Sequence, residues 1–328
     1  MKKSLFTNKT ILLTGGTGSF GQKFVEIMLK DYSPRAVRVF SRDELKQYEM
    51  MQAFNHHPKL RFLIGDIRDS KRLSRAMDGA DIVMHAAALK QVPLCEYNPF
   101  EAVQTNIMGA ENVINAAINH DVSHVMAIST DKAVNPVNLY GATKMCMEKL
   151  VVAGNSYVGR LRQTRLSCTR YGNVIGSRGS VIPVFKKQKL AGKITITDAR
   201  MTRFWITLDQ GVRFVIECTE KMQGGEVFIP KIPSMKIADL AKVIAPECQI
   251  TYSGIRPGEK IHECLLTEDE ARHALEFKDF FIVAPEFHWW TEKGWKAGKK
   301  LPENFRYTSD RNDRWLTNKD LMKILKME

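Results

Sequence analysis

This sequence of 328 residues predicts an α/β fold: a doubly wound parallel sheet of the Rossmann kind, with a smaller α/β lobe attached. Three observations carry the prediction. Six short runs rich in Val, Ile, Leu and Phe recur through the first 170 residues, with segments of helical spacing between them. The first run leads directly into a glycine-rich turn. The composition, 44% hydrophobic and 26% charged, is that of a globular chain, not a disordered or fibrous one.

The runs lie at 10–14, 36–40, 60–64, 81–86, 124–128 and 165–169, short and nearly continuous in apolar residues, as strands buried on both faces must be. Between the fourth and fifth, Val103, Ile107, Ala110, Ile114 and Ala117 mark one apolar helical stripe. After Tyr171 the alternation breaks and glycines and prolines punctuate 172–183. Residues 1–170 are therefore read as a dinucleotide-binding domain and 171–328 as a substrate-binding lobe with a C-terminal tail. The stretch 207–222 is a helix expected to pack back on the first domain. The tail from Phe287, with Trp289, Trp290, Lys293, Trp295, Lys296, Lys299 and Lys300, has no clear period and reads as a surface arm or a subunit contact.

Several function classes fall away. The longest apolar run, 81–89, is far short of a membrane span, and Ile11-Leu12-Leu13 is too short for a signal peptide. Six cysteines form no Cys-x-x-Cys pair and no cluster with histidines, which predicts buried, reduced thiols in a cytoplasmic protein and no metal site. His262-Glu263-Cys264 lacks metal-ligand spacing and is left outside the chemistry. The net charge of +13 favours anionic partners, either nucleic acid or phosphate-bearing small ligands. No nucleic-acid-binding motif accompanies it, so a small anionic ligand is expected.

Gly15, Gly18 and Gly21, with Thr17, Ser19 and Phe20 between them, have the Gly-x-x-Gly-x-x-Gly spacing of a dinucleotide turn. Glycines let backbone N–H groups approach a pyrophosphate, and the next helix points its positive end at it. After the second strand, Ser41, Arg42 and Lys46 suit the 2′-phosphate of NADP, whereas Asp43 suits the ribose of NAD or a helix cap. Asp66 and Ile67 follow the third strand, where Asp66 either bonds adenine or caps a helix. Ala86 and Ala87 leave room for a flat cofactor beside the fourth, and His85 reads as a core histidine.

Thr130, Asp131 and Lys132 end the fifth strand, and Tyr140 and Lys144 follow one helical turn apart on one face. A phenol has an ordinary pKa of about 10, so a nearby ammonium and a cationic nicotinamide would favour its phenolate as a base.

The glycine turn and the Tyr140/Lys144 pair resemble the extended short-chain dehydrogenase/reductase family. More closely, 41–46, 129–133, 170–174, 176–180, 201–205 and 255–259 resemble the inverting UDP-N-acetylglucosamine 4,6-dehydratases. The resemblance runs from about Thr10 to Trp315 and is weakest over 287–304. It implies an NADP-dependent hydro-lyase opening the bacterial route to pseudaminic acid, a sugar of flagella and surface glycans. Tyr140 would deprotonate the C4 hydroxyl, a neutral Lys132 would remove the C5 proton, and Asp131 would protonate the departing C6 hydroxyl. Lys90, Thr130, Asn173, Arg178, Ser180, Arg203, Arg256 and Glu259 are implied around the UDP-sugar, with Lys90 also near the cofactor. A homo-oligomer is implied as well. Gln91 departs from the His of many relatives. C5-retaining dehydratases typically carry Asp-Glu where this chain has Asp131-Lys132; these enzymes and 4-epimerases are the alternatives.

Overall fold

The computed structural model describes residues 4–159, 162–176, 181–291 and 294–326. Strands and helices alternate from the start: β1 (Thr10–Thr14), α1 (Ser19–Asp31), β2 (Ala36–Ser41), α2 (Glu44–Ala53), β3 (Leu60–Ile64), α3 (Ser70–Met77) and β4 (Ile82–His85). Two short helices follow, α4 (Val92–Tyr97) and α5 (Pro99–Val103), then a π-turn over Gln104–Met108 and α6 (Gly109–Asn119). β5 (His124–Thr130), a 3₁₀ turn (Asp131–Ala133), α7 (Leu139–Gly154) and β6 (Arg165–Tyr171) complete the first half. The six strands lie parallel in the order β3-β2-β1-β4-β5-β6. Successive side chains point to opposite faces. Ile11 and Leu13 pack with Phe24, Met28 and Val212, while Leu12 packs with Val113, Ala117 and Met147.

The stripe read as one continuous helix is interrupted. The π-turn carries one extra residue per turn, which buries Thr105 and Asn106 and leaves Ile107 only half-buried. Asn106 then holds both backbone groups of Leu89, accepting from its N at 2.8 Å and donating to its O at 2.9 Å.

The second half holds β7 (Asn173–Ile175), α8 (Val181–Lys189), β8 (Lys193–Ile196), β9 (Thr202–Thr207), α9 (Leu208–Lys221), β10 (Val227–Pro230), β11 (Ser234–Lys236), α10 (Ile237–Ile244) and β12 (Gln249–Tyr252). After these come β13 (Cys264–Leu266), α11 (Glu268–Ala271), β14 (Ala274–Glu276), β15 (Phe280–Val283), β16 (Lys299–Lys300), β17 (Tyr307–Thr308) and α12 (Asn318–Lys326). The chain after 170 does not stay outside the first sheet. β10 pairs parallel with β6, and β15, β14 and β16 extend the edge antiparallel, making ten strands. α9, opened by a Thr207–Gln210 capping box, packs on α1. A separate apolar core under α8, α10 and α12, including Ile194, Trp205, Leu240 and Leu321, defines the small lobe.

The tail is not an arm. Trp295 is 5% exposed, wedged edge-on against Phe228 and Phe277, and its Nε1 donates to the buried Glu226 at 3.0 Å. Lys299 and Lys300 form β16. Aromatic burial outweighs the polar composition that suggested a solvated segment. Lys293 lies outside the described residues. All six cysteines are unpaired, but only Cys95, Cys168 and Cys218 are buried. Among the described residues no helix is long and apolar enough to cross a membrane.

Candidate active site

The C-terminal ends of β1, β4, β5 and β6 lie side by side, so their exit loops meet along one edge of the sheet. Gly15 (φ +66°) makes the first of these possible: a Cβ there would stand 2.8 Å from the Ala87 backbone. A Cβ on Gly21 would overlap the Gly16 carbonyl. Gly18 is the N-cap of α1 and offers no capping side chain, and the first turn holds no acidic residue. The positive end of the helix dipole at this turn favours an anion, and the arrangement fits a dinucleotide pyrophosphate. Ser19 and Phe20 open α1, with the Phe20 ring stacked on Phe24 at 6.0 Å. Thr17 is buried, its carbonyl taken by Gln22 Nε2 at 3.2 Å.

At the β2 exit, Ser41 Oγ accepts from Gln47 Nε2 at 3.0 Å. Asp43 caps α2: Oδ1 accepts from Lys46 N at 3.0 Å and Oδ2 from Lys46 Nζ at 2.6 Å. The Lys46 ammonium is thus paired with Asp43. Arg42 is half-exposed, 3.5 Å from Asp66. Asp66 accepts from Arg68 N and Nε, each at 2.9 Å; burial pushes its carboxyl up, but Arg68 holds it below the ordinary value. The cap of α3 is Asp69, not Asp66. Ile67 is buried in the core against Gly109. Ala86 and Ala87 are half-buried, with Ala87 N donating to Thr14 Oγ1 at 3.4 Å. His85 shares a 2.8 Å hydrogen bond with Thr14 Oγ1; burial, aided by the Lys144 charge, lowers its pKa to about 3.

The reacting groups gather around the 3₁₀ turn after β5. Thr130 Oγ1 donates to Asp131 Oδ1 at 3.0 Å, and Lys132 Nζ donates to the same oxygen at 2.9 Å. Lys132 Nζ also reaches Asn173 Oδ1 at 3.5 Å and stands 3.8 Å from Glu263 Oε1. Burial disfavours the Lys132 ammonium, but the Asp131 and Glu263 carboxylates outweigh it and hold the pKa above the ordinary lysine value. The expectation of a neutral Lys132 at rest is therefore overturned: opposite charges, not like ones, dominate its surroundings.

α7 carries Tyr140 and Lys144. Asn138 caps it, accepting from Gly141 N at 2.8 Å, and donates to Gly258 O at 2.8 Å, which ties the 255–259 loop to the head of the helix. Gly141 allows α7 to start against the Lys132 carbonyl, which a Cβ would overlap. Burial pushes Tyr140 up to about 12; the strongest opposing influence is the Lys132 ammonium, followed by the Thr130 hydroxyl. Lys144 is buried and drawn down to about 8. Behind it, Arg170 grips Glu148 of α7 at 2.6 and 3.1 Å and Glu270 of α11 at 2.8 and 3.0 Å.

The remaining candidates divide. Burial, and then the neighbouring Lys132 charge, draw the Lys90 ammonium down. Arg256 is exposed, and Glu259 accepts from Thr197 Oγ1 at 3.1 Å. Arg203 is not presented to solvent: its guanidinium is buried and donates to the carbonyls of Thr202, Lys260 and Ile261 at 2.7–3.0 Å. Arg178 and Ser180 lie outside the described residues. Sequence reasoning missed Asn106, Asn138 and Glu263. Asn138 carried a readable signal, an Asn just ahead of a helical stretch; the other two depend on a π-turn and on a contact across 131 positions.

Among proteins of known sequence, the chain is 49% identical to the UDP-N-acetylglucosamine 4,6-dehydratase (inverting) of Campylobacter jejuni over 98% of each chain. It is 46% identical to the UDP-glucose 4-epimerase of Rickettsia conorii, over 85% of this chain and 84% of that one. The crystal structure of Pen from Bacillus thuringiensis superposes with a TM-score of 0.89 at 40% identity, over 98% of both chains. Residues 11–285 match the family described as "Polysaccharide biosynthesis protein". With its cofactor turn, its Tyr-x-x-x-Lys helix and that match, the chain belongs to the polysaccharide biosynthesis protein family of extended short-chain dehydrogenase/reductase folds.

Proposed function

We propose that the protein dehydrates UDP-N-acetylglucosamine across C5 and C6 with inversion at C5, using NADP, as the first step toward pseudaminic acid. The observation that carries this reading is the Asp131–Lys132 pair, hydrogen-bonded at 2.9 Å, next to the Tyr140 phenol. The near full-length likeness to a dehydratase described as inverting supports it.

The cradle at Gly15–Gly21, Ala86, Ala87, Tyr140 and Lys144 would hold the dinucleotide, which when bound takes hydride from C4 and returns it at C6, leaving no net redox change. Tyr140 acts as its phenolate, which the Lys132 ammonium favours against burial, and takes the C4 hydroxyl proton; the resulting ketone acidifies C5–H. Lys132 becomes a base by passing its proton to Asp131 along the 2.9 Å bond. The same transfer makes Asp131 an acid. Lys132 then takes the C5 proton while Asp131 protonates the C6 hydroxyl, which leaves as water. Lys132, now an ammonium again, returns its proton to the opposite face of C5, which inverts the centre. Asn173 and Lys90 flank Lys132 and are suited to the sugar and its diphosphate.

NADP is favoured because one Asp43 oxygen caps α2 and the other takes the Lys46 ammonium, while Arg42 is half-exposed. Arg42→Ala should weaken NADP binding about ten-fold or more and leave NAD binding nearly unchanged; equal losses for both would reverse the assignment. The Rickettsia epimerases favour a second reading, 4-epimerisation. Proton NMR of UDP-N-acetylglucosamine with the protein and NADP separates the two. A C6 methyl doublet with L-configured C5 coupling supports the proposal; a C4 epimer without a methyl signal refutes it.

A further inference from the structure

Glu263 is 3% exposed, and its carboxylate sits among three cations. Oε1 is 3.8 Å from Lys132 Nζ and 3.6 Å from Arg203 Nε; Oε2 is 3.9 Å from Lys260 Nζ and has no hydrogen-bond partner. These are ion-pair separations, longer than hydrogen bonds. The scaffold fixes the surroundings. Glu263 N donates to Ser309 Oγ at 2.9 Å, Lys260 Nζ donates to Val134 O at 2.5 Å, and three carbonyls hold the Arg203 guanidinium. A buried anion is costly, and an apolar side chain would fill this space more stably.

We propose that Glu263 is a positioning residue for Lys132: it is the second carboxylate that keeps the Nζ group an ammonium until the C4 hydroxyl has been oxidised. The proposal rests on the function argued above. Lys132 is faced by Asp131 on its own turn, Tyr140 on α7, Lys90 after β4, Arg203 on β9 and Glu263, with Lys260 acting through Glu263. The ammonium is the cation that draws the Tyr140 phenol toward its phenolate, which the first step requires. Without the Glu263 charge, one carboxylate opposes Arg203 and Lys90, and Lys132 releases its proton more readily. The first step then loses its cation, while removal of the C5 proton gains a freer amine.

These opposite effects give the test. The 4-keto product, incubated with the protein in heavy water, exchanges its C5 proton through Lys132 without any hydride movement, and proton NMR follows the rising limb of this exchange from about pH 6 to about pH 10, below the midpoint of a Lys132 held above the ordinary lysine value. In Glu263→Gln that limb should shift by about one pH unit or more toward lower pH, making exchange about ten-fold faster at a given pH. Turnover of UDP-N-acetylglucosamine should drop about ten-fold in the same variant. Glu263→Asp, which keeps the charge, should restore the wild-type exchange profile. Arg203→Gln removes a repelling cation and should shift the limb toward higher pH; it carries the test if Glu263→Gln does not fold. An unmoved limb, or exchange and turnover falling together, would overturn the proposal. Exchange that survives Lys132→Ala would instead overturn the reading of Lys132 as the C5 base.

Discussion

Gly141→Ala tests whether the closeness of α7 to the 3₁₀ turn sets the geometry of catalysis. In an open helical position this substitution stabilises by about 1 kcal/mol, because alanine loses less backbone entropy. Here the new Cβ would overlap the Lys132 carbonyl oxygen and stand 3.0 Å from its carbon and 3.1 Å from Pro136 Cβ, where ordinary contact begins at 3.4 Å. Relief requires the head of α7 to move back by on the order of 1 Å, carrying Tyr140 away from Lys132 and Thr130. Overpacking of this kind costs about 1–3 kcal/mol, partly offset by the propensity gain, so the melting temperature should change by only a few degrees. A misplacement of about 1 Å in a reacting group costs about 100-fold in rate. The expected result is a kcat lowered about 100-fold, read by NMR of product formation, in a protein that still melts cooperatively. A kcat within about threefold of wild type would show that the approach of α7 does not govern the chemistry.

Arg170→Met strands two carboxylates, the buried Glu148 and the half-buried Glu270, at a cost of about 3–5 kcal/mol. At about 2.1 cal/mol/K of unfolding entropy per residue over the chain, calorimetry should show a fall of about 4–7 °C; adding Glu148→Met should recover part of it, and a drop below about 1 °C would refute the ion-cluster account. Lys144→Met should do the reverse. With the folded pKa drawn from 10.5 down to about 8, the wild type bears the full desolvation cost below about pH 8 and regains stability as pH rises to 10.5. The variant should therefore be more stable at pH 7 by on the order of 3 kcal/mol, the gain vanishing by about pH 10.5; a variant melting below wild type at pH 7 would contradict the burial argument.

Most of the first half of the fold was legible because its signals are local. β1 is five buried residues running into Gly15-Gly16, and no other element fits that pattern. The break after Tyr171 was also visible, but its meaning was not: β10 returns to pair with β6, and nothing in Val227–Pro230 names a partner nearly sixty positions earlier. Trp295 misled for the same reason, since its partners Phe228, Phe277 and Phe280 are set by topology. In the site, adjacent groups such as Asp131 and Lys132 were readable as a pair. Their charge state was not, because Glu263 approaches from another part of the chain. Arg203 looked like an anion ligand by type; its three carbonyl partners depend on how β9 meets the 260–261 segment.

The late return of β10 has a consequence for synthesis. When β6 leaves the ribosome its outer edge is bare, and the strand that seals it follows more than fifty residues later. At about 5–20 residues per second, the nascent chain carries an open row of amide and carbonyl groups for several seconds. That rim, built from Leu166 to Thr169, is where an emerging polypeptide is most exposed to a chaperone or to a wrong neighbour.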